Sequence, residues 1–240
     1  MSAPVTRAIA LDGPAGSGKS TVARGVAARL GWRYVDTGAT YRAATLAVLR
    51  GGVDPRTAPA EQITGVVRAL LGRGGLRLSV AAAPSQVSLD GIDVSADIRG
   101  PEVTAAVSAV SAIPEVRREI VRLQQQIVGT GECVVEGRDI ATVVLPHAAV
   151  KVYIDASPEV RARRRAGDAD AGVRGPGAAP LLDTVSADLA RRDRLDSSRA
   201  VSPLLRAPDA VVLDTSALTA EQVVTAVIAL AEAAGLTTRG

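Results

Sequence analysis

The sequence predicts an α/β fold: a P-loop parallel five-stranded sheet flanked by helices, with a small inserted antiparallel β-sheet. Three observations support this prediction. Short apolar runs alternate with helical stretches along the chain. A glycine-rich loop at 13–20 joins the first apolar run to the first helical stretch. Between 76 and 94 the apolar residues alternate at period two, which is typical of short antiparallel strands.

Five apolar runs are predicted to form the parallel sheet. They are Ala8 to Leu11, Trp32 to Val35, Cys133 to Glu136, Val150 to Ile154 and Ala210 to Leu213. The first helix is predicted over Ser20 to Leu30. Two later helix starts are marked by Ser157-Pro158-Glu159, with a capping hydroxyl and a first-turn proline, and by a capping box at Thr219 to Gln222.

Two segments interrupt the α/β alternation. In the first, 60–71 and 101–129 have helical spacing, and the period-two stretch between them has turns at Ala-Pro-Ser and at Asp90-Gly91. The second, Ala166 to Pro180, is rich in Gly, Ala, Asp and Pro and lacks an apolar period, so we expect a mobile loop there.

Composition narrows the possible functions. At 240 residues with a net charge of +3, the chain has the size of one α/β domain, and no strong nucleic-acid affinity is required. Aromatic residues make up 2%, with no Phe, so the stacking platforms of single-strand binders are lacking. Cys133 is the only cysteine and lies in an apolar run, which favours a core position in a reducing compartment. We expect a cytoplasmic protein without a membrane segment.

The glycine-rich loop fits the phosphate-binding pattern G-x-x-x-x-G-K-[ST]. Its residues are Gly13, Pro14, Ala15, Gly16, Ser17, Gly18, Lys19 and Ser20. The pattern predicts a nucleoside triphosphate site, with Lys19 reaching the β and γ phosphates and the Ser20 hydroxyl facing Mg²⁺. The alternative is a glycine-rich turn that only joins strand and helix.

Three groups of polar residues follow predicted strands or recur late in the chain, and ligands bind at the carboxyl ends of parallel strands. Arg42 lies at the start of a predicted helix, where a cation is unfavourable because the helix dipole is positive at that end. This placement favours a role in binding an anion over a purely structural one. Arg138 and Asp139 follow a strand, although they could form a solvated turn pair. Arg192, Asp196 and Arg199 have the spacing of one helix face, which an ordinary surface salt-bridge ladder would also have.

The order of these motifs resembles the bacterial cytidylate kinases over about residues 8 to 228. The matching segments are GPAGSGKST, DTGATYR, TAAVSAVSAIPEVRREIVRLQQ, VEGRDIATVVLPHAAVKVYIDAS, RRDRLDSSRAVSPL and APDAVVLDTSALTAEQVV. The resemblance implies phosphoryl transfer from ATP to CMP or dCMP with Mg²⁺. It also implies one P-loop kinase domain over 1–240, with a core at about 5–56 and 130–235, a nucleoside monophosphate (NMP)-binding insertion at about 57–129 and a lid at about 161–182.

The resemblance assigns roles to individual residues. Gly13 to Thr21 would bind ATP, with Thr21 the last of them. Arg42, Arg138 and Arg199 would bind the CMP phosphate, and Arg192 and Asp196 the ribose hydroxyls. The remaining positions around the nucleotide and its base are Thr37, Tyr41, Ser108, Arg117 and Asp139. Cytosine fits the last two, because Asp139 can accept from its N4 amino group while Arg117 donates to N3 or O2.

The implied chemistry needs cations and no nucleophilic side chain, because the transition state of phosphoryl transfer is loose and spreads its charge. Lys19, Arg138, Arg161 and Arg165 would supply the field, with a closing lid that excludes water. The run Arg161 to Arg165 could instead be a solvated helix face. We expect a monomer that acts on small-molecule nucleotides and binds neither nucleic acid nor membrane.

Three positions and one segment qualify the resemblance. Ala141 stands where the family usually has Gly, and the segment 166–180 is poorer in helix-forming residues than the usual lid. Leu195 stands where some members have an arginine, so we assign it no contact with a ligand. His147 is not assigned to the site. Another P-loop small-molecule kinase, of the thymidylate or shikimate type, remains an alternative. A nucleotide-dependent switch is disfavoured because the Asn-Lys-x-Asp string of GTPases does not occur.

Overall fold

A five-stranded parallel sheet forms the centre of the structure, a computed structural model that describes residues 6–80, 86–170, 182–199 and 201–236. With strands numbered in chain order, the sheet consists of β1 (Thr6–Asp12), β2 (Arg33–Asp36), β6 (Cys133–Glu136), β7 (Ala148–Asp155) and β8 (Val211–Asp214). Their order across the sheet is β2-β6-β1-β7-β8. The late strand β6 therefore separates the first two strands of the chain.

The five predicted strands are confirmed, with shifted bounds for four of them. The second strand begins at Arg33 and not at Trp32, because the Trp32 N–H still donates to Ala27 O at 2.9 Å across the end of the preceding helix. Gly31, with φ of 67°, makes that helix end possible.

Helices cover both faces of the sheet. On one face lie α1 (Lys19–Leu30) and α8 (Ala220–Ala233), which pack on Ile9 and Leu11 of β1. On the other lie α2 (Thr37–Arg50), α4 (Pro101–Ala112) and α5 (Pro114–Val128), and Ala8 and Ala10 point to the apolar cluster on that side. Successive side chains of β1 thus pack against opposite helix layers, because side chains alternate between the two faces of a sheet along a strand.

The predicted inserted sheet is present. Its strands β3 (Leu76–Leu78), β4 (Val87–Leu89) and β5 (Ile92–Asp93) pair antiparallel in that order, after α3 (Ala60–Gly72). Asp90 and Gly91 both have positive φ, 49° and 85°, as the predicted two-residue hairpin turn requires. The predicted Ala-Pro-Ser turn lies outside the described residues.

The predicted loop over Ala166 to Pro180 is wrong in its first part. Helix α6 (Pro158–Asp170) continues through residues 166–170, because no proline interrupts this Ala-containing stretch and a helix interior tolerates Gly167. The rest of the predicted loop lies outside the described residues, and α7 (Leu182–Ser197) follows it. No helix in the described ranges is long and apolar enough to cross a membrane.

Both predicted helix starts are confirmed. The Val160 N–H donates to Ser157 Oγ at 3.4 Å at the beginning of α6. Thr219 and Gln222 form a capping box at the start of α8. A short π-helical turn at Ile140–Val144 follows β6 and has Asp139 at its N-cap.

Candidate active site

The phosphate loop follows β1 and adopts a backbone that only glycine permits at its first position. Gly13, Gly16 and Gly18 have φ of 146°, 76° and 92°. A Cβ on Gly13 would lie 2.0 Å from the Ile154 carbonyl oxygen. The loop is therefore packed against the end of β7 before it enters α1, where a helix N-terminus favours anions.

Lys19 is buried and folds back over its own loop. Its Nζ donates to Pro14 O at 2.7 Å and lies 3.4 Å from Ser17 Oγ. Burial, and after it the nearby Arg138, lower the pKa of Lys19 to about 7. An anion at the loop would favour the charged form of this side chain.

Glu136 is a site residue that the sequence interpretation left without a role. It ends β6, and its Oε2 accepts from Ser20 Oγ at 2.8 Å while Oε1 accepts from the Tyr34 hydroxyl. Burial raises its pKa. Its place at the end of an apolar strand was visible in the sequence, but its nearness to Ser20 depends on β6 lying beside β1.

Ser20 and Glu136 fit a hard divalent cation, because Mg²⁺ prefers oxygen ligands and is usually held by one or two protein groups plus phosphates and water. In the described part of the chain no group of three or more His, Cys, Asp or Glu side chains is arranged for a metal. A cation here would therefore depend on oxygens of a bound nucleotide.

Arg117 and Asp139 form a buried ion pair on the α5 side of the site. Their side chains lie 2.6 Å apart and the residues are 1% and 4% exposed. Arg117 also donates to Ser111 O at 3.1 Å, and its guanidinium carbon lies 5.1 Å from the centroid of the Tyr41 ring. The interpretation of Arg138 and Asp139 as a solvated turn pair is therefore wrong for Asp139.

Tyr41 lies next to this pair. Its hydroxyl is buried and has no hydrogen-bond partner among the described residues. Burial raises the pKa of this hydroxyl, so it is neutral at physiological pH. The unsatisfied hydroxyl and the ring face border the same charged pair.

Asp196 joins two further predicted arginines. Its Oδ2 lies 3.2 Å from Arg138 Nε, and its Oδ1 accepts from Arg199. Arg199 also donates to Ser111 Oγ at 3.2 Å. The expectation that Arg192, Asp196 and Arg199 share one helix face is wrong for Arg199, because α7 ends at Ser197, yet the side chain turns back to Asp196.

Arg42 lies in a cluster of like charges. It donates to Thr104 Oγ1 at 3.0 Å and to Ile98 O at 3.3 Å, while Arg192 donates to Thr104 O at 3.2 Å. Burial, and after it the nearby Arg192 and Arg165, lower the pKa of Arg42 to about 10. An anion bound among these arginines would favour their charged forms.

The arginine run of α6 is divided between partners and solvent. Arg161 donates to Ala15 O at 3.2 Å and pairs with Asp193, whose Oδ1 accepts the Ala15 N–H at 3.4 Å. Arg164 donates to Ser17 O at 3.1 Å, whereas Arg163 is exposed. The solvated-face interpretation is therefore wrong for Arg161 and Arg164. Sequence reasoning gave no role to Asp193.

Arg164 also reaches the segment that follows β8. It donates to Thr215 Oγ1 at 2.9 Å and to Thr215 O at 2.8 Å. The Thr215 hydroxyl in turn lies 3.2 Å from Ser17 O. The phosphate loop is thus tied to α6 and to the edge of the sheet, a contact that no local sequence signal indicates.

The remaining predicted positions are placed as follows. Thr37 Oγ1 donates to Glu136 O at 2.7 Å, which joins α2 to β6. Ser108 is half-buried on α4, and Thr21 is exposed on α1. Arg165 is half-buried on α6. His147 is exposed, and Leu195 is 43% exposed.

Comparisons with known proteins agree with this geometry. The family model for cytidylate kinase matches residues 9–233. A cytidylate kinase of Corynebacterium efficiens is 51% identical over 94% of this chain and 94% of its own length. One from Mycolicibacterium paratuberculosis is 52% identical over 90% of this chain and 91% of its own, and one from Mycobacterium avium is 52% identical over 93% of each.

Among solved structures the resemblance is distant. TT1252 from Thermus thermophilus is 19% identical over 96% of this chain and 97% of that chain, with a TM-score of 0.44, which supports no assignment. The family model and the curated relatives cover nearly the full length and settle the membership. This chain belongs to the cytidylate kinase family.

Proposed function

We propose that this protein transfers a phosphoryl group from ATP to CMP and dCMP, giving CDP and dCDP. The observation that supports this best is the buried Arg117–Asp139 pair beside the unsatisfied Tyr41 hydroxyl. The curated relatives at about half identity are named cytidylate kinases. The proposal joins the activity that their name states to the base-reading chemistry of this pair.

The base is selected by hydrogen bonding. The Asp139 carboxylate accepts from the N4 amino group of cytosine, and Arg117 donates to N3 or O2. Uracil has an acceptor at position 4, so it offers Asp139 no donor there and places an oxygen against the carboxylate. A site of this kind can reject such an analogue by up to about 10⁴-fold.

The acceptor phosphate is held by arginines, which are suited to bidentate contacts with phosphate. Arg42, Arg138 and Arg199 are assigned to this phosphate, and Arg192 with Asp196 to the ribose hydroxyls. The lowered pKa of Arg42, caused by burial and by neighbouring arginines, supports an anion between them. Thr37, Tyr41 and Ser108 complete the acceptor site.

The donor site consists of Gly13 to Thr21. When ATP binds, Lys19 exchanges its hydrogen bond to Pro14 O for contacts with the β and γ phosphates. Its charge there stabilises the transition state of phosphoryl transfer. Ser20 and Glu136 would hold Mg²⁺, which neutralises charge on the phosphates when bound. Arg161 and Arg165 extend the cationic field. The lid is assigned to about 161–182, of which residues 171–181 lie outside the described part of the chain, and it would exclude water from the bound nucleotides.

We further propose a monomer that acts in the cytoplasm on small-molecule nucleotides and does not bind nucleic acid. The modest net charge of +3 and the 2% aromatic content support this. Gel filtration with light scattering at micromolar concentration tests the first part. A stable dimer mass would overturn it.

A phosphoryl-acceptor panel tests the activity. ATP and Mg²⁺ are supplied with CMP, dCMP, UMP, AMP, GMP and dTMP, and formation of ADP is measured against a Lys19→Ala control. CMP and dCMP are expected to be the preferred acceptors. Equal efficiency with UMP or dTMP would overturn the base assignment. Shikimate is added as a seventh acceptor, and turnover with shikimate alone would assign another kinase class.

A further inference from the structure

Asp12 is a buried carboxylate to which the proposed reaction gives no role. It ends β1, immediately before the phosphate loop, and is 2% exposed. Its Oδ1 accepts from the Ile140 N–H and its Oδ2 from the Ala141 N–H, each at 2.8 Å. Both carboxylate oxygens are thus committed to one segment, the π-helical turn Ile140–Val144.

These two N–H groups are the ones that the first residues of a helical turn leave unpaired. An Asp at the N-cap ordinarily satisfies them with its own side chain. Asp139 occupies that N-cap and makes no capping hydrogen bond. Instead its carboxylate lies 2.6 Å from Arg117 Nη2. Asp12 caps the turn from a different strand, which leaves Asp139 free to face the acceptor site.

A second link runs in the opposite direction between the same two segments. Arg138 Nη1 donates to Gly13 O at 2.5 Å. Residues 12 and 13 therefore contact residues on both sides of Asp139. Since Gly13 cannot be replaced without a clash at Ile154 O, the strand-to-loop junction is a fixed reference for these contacts.

Burial of this carboxylate is unfavourable for the fold alone. Burial raises the pKa of Asp12 to about 6 even though the two N–H donors and Lys19 lower it. An apolar side chain at this place in β1 would avoid that desolvation. Replacing buried ions by apolar groups of similar size often leaves the free energy of unfolding unchanged. The Asp12 carboxylate therefore needs a reason other than stability, and its contacts with the turn beside Asp139 supply one.

We propose that Asp12 is a positioning residue that holds Asp139 and Arg138 at a fixed place relative to the phosphate loop. This inference rests on the proposed function, because it assigns Asp12 to the alignment of the CMP base and phosphate with the donor. Both carboxylate oxygens of Asp12 already accept from backbone N–H groups of the turn. It acts through the turn that it caps.

Asp12→Asn tests the inference, because it keeps the size and one acceptor oxygen but turns an NH₂ group toward a backbone N–H. We expect KM for CMP to rise roughly tenfold and the CMP to UMP preference to fall by at least about fivefold, since small misplacements of a bound substrate have large effects. KM for ATP should change less than about threefold. The matched control is Val227→Ala, a buried apolar truncation on α8 in the opposite helix layer, which should lower Tm while leaving the CMP to UMP ratio unchanged.

A merely structural Asp12 would lower Tm and reduce the use of ATP, CMP and UMP in parallel, and that result overturns the inference. NMR of the wild type provides a readout independent of activity and of whether the variant folds. The amide protons of Ile140 and Ala141 should be protected from exchange and should shift together as a carboxyl group titrates. Rapid exchange at both amides also overturns the inference. If the wild type does not phosphorylate CMP, the proposed function is overturned. The amide exchange result would still decide whether Asp12 holds the turn at Ile140 and Ala141.

Discussion

Arg138 and Asp139 are adjacent in the sequence but have different partners. Arg138 reaches Gly13 O and Asp196, whereas Asp139 pairs with Arg117 on α5. The contacts therefore give no support to a purely structural role in which Asp139 would only hold Arg138 in place. Two neighbouring side chains can thus contribute separately, one to the phosphate and one to the base.

Substitution of each residue should separate these contributions. Asp139→Asn should lower kcat/KM for CMP by roughly 30-fold, the equivalent of about 2 kcal/mol for a lost charge-assisted hydrogen bond, and affect UMP less. Asn is preferred to Ala because it leaves Arg117 one acceptor. Arg138→Ala should lower kcat/KM for both nucleotides by similar factors. An unchanged CMP to UMP ratio in Asp139→Asn would remove Asp139 from base recognition.

Lys19 should matter for turnover and little for acceptor binding. Lys19→Ala is expected to lower kcat by about 10² to 10³, because a donor aimed at charge that develops in the transition state is lost. The dissociation constant for CMP, measured by calorimetry, should change less than about threefold. Circular dichroism is the control for folding, and near-normal kcat in a folded variant would contradict the assignment.

The raised pKa of Asp12 makes a signed prediction for stability. Because burial lifts this pKa from 3.8 to about 6, the folded state holds the proton more tightly than the unfolded state does. The stabilisation is present below about pH 4 and is lost as pH rises through about 6, a total of about 3 kcal/mol. Urea unfolding of the wild type and Asp12→Asn at several pH values should give curves that diverge over this range. Parallel curves would contradict the shift.

At the scale of elements, α6 supports the phosphate loop from outside. Arg164 donates to Ser17 O and to Thr215, while Arg163, one position earlier, is exposed and its Nε lies 3.4 Å from Glu159 O of its own helix. The two residues therefore form a matched pair for substitution.

Arg164→Ala should raise KM for ATP several-fold and lower the free energy of unfolding by about 1 to 3 kcal/mol, because three buried or half-buried acceptors lose a charged donor. Arg163→Ala should leave both quantities within error. The measurements are initial rates at varied ATP and urea unfolding. Equal effects of the two substitutions would mean that the contact with the loop contributes nothing specific.

Sequence reasoning predicted elements whose signals are local. The glycine loop, the capping box at Thr219 and the hairpin turn at Asp90-Gly91 each depend on residues within a few positions, and all three are present. The boundary at Trp32 was misplaced because the last hydrogen bonds of α1 extend past Gly31. The helix through residues 166–170 was missed because glycine and aspartate lower helix propensity without ending a helix.

The candidate site was predictable only where a motif marks it. Glu136, Asp193 and Asp12 were missed because their importance comes from partners more than 100 positions away: Ser20, Ala15 and the 140–141 amides respectively. The separations for Glu136 and Asp12 close only when β6 lies beside β1, whereas Asp193 reaches the loop from α7. Strand order is a property of the whole sheet, and the composition of a single strand does not encode it.

At the scale of the whole molecule, Cys133 is a reporter of global unfolding. It is the only cysteine, is fully buried in β6 and lies opposite Ala8 and Arg33 on the two neighbouring strands. Burial also raises the pKa of its thiol to about 11. A reagent can reach the thiolate only when the sheet opens.

Labelling of Cys133 should therefore be slower in the native protein than in urea by a factor of about 10³ or more, as expected for a group exposed only by unfolding. ATP with CMP should slow it further, because ligands that bind only the folded state stabilise it. A thiol reagent followed by absorbance measures both rates. Stoichiometric reaction within minutes under native conditions would show that β6 opens locally.

The strand order β2-β6-β1-β7-β8 also determines when this protein can begin to fold during synthesis. The first two strands are complete by Asp36, but each pairs with β6, which ends at Glu136. A nascent chain that has left the ribosome only as far as residue 130 thus carries both strands without the one that joins them. About a hundred further residues must be synthesised before β1 and β2 can pair with β6, and until then their apolar faces are exposed. Exposed apolar surface and unpaired strand edges of this kind favour aggregation, which chaperones prevent.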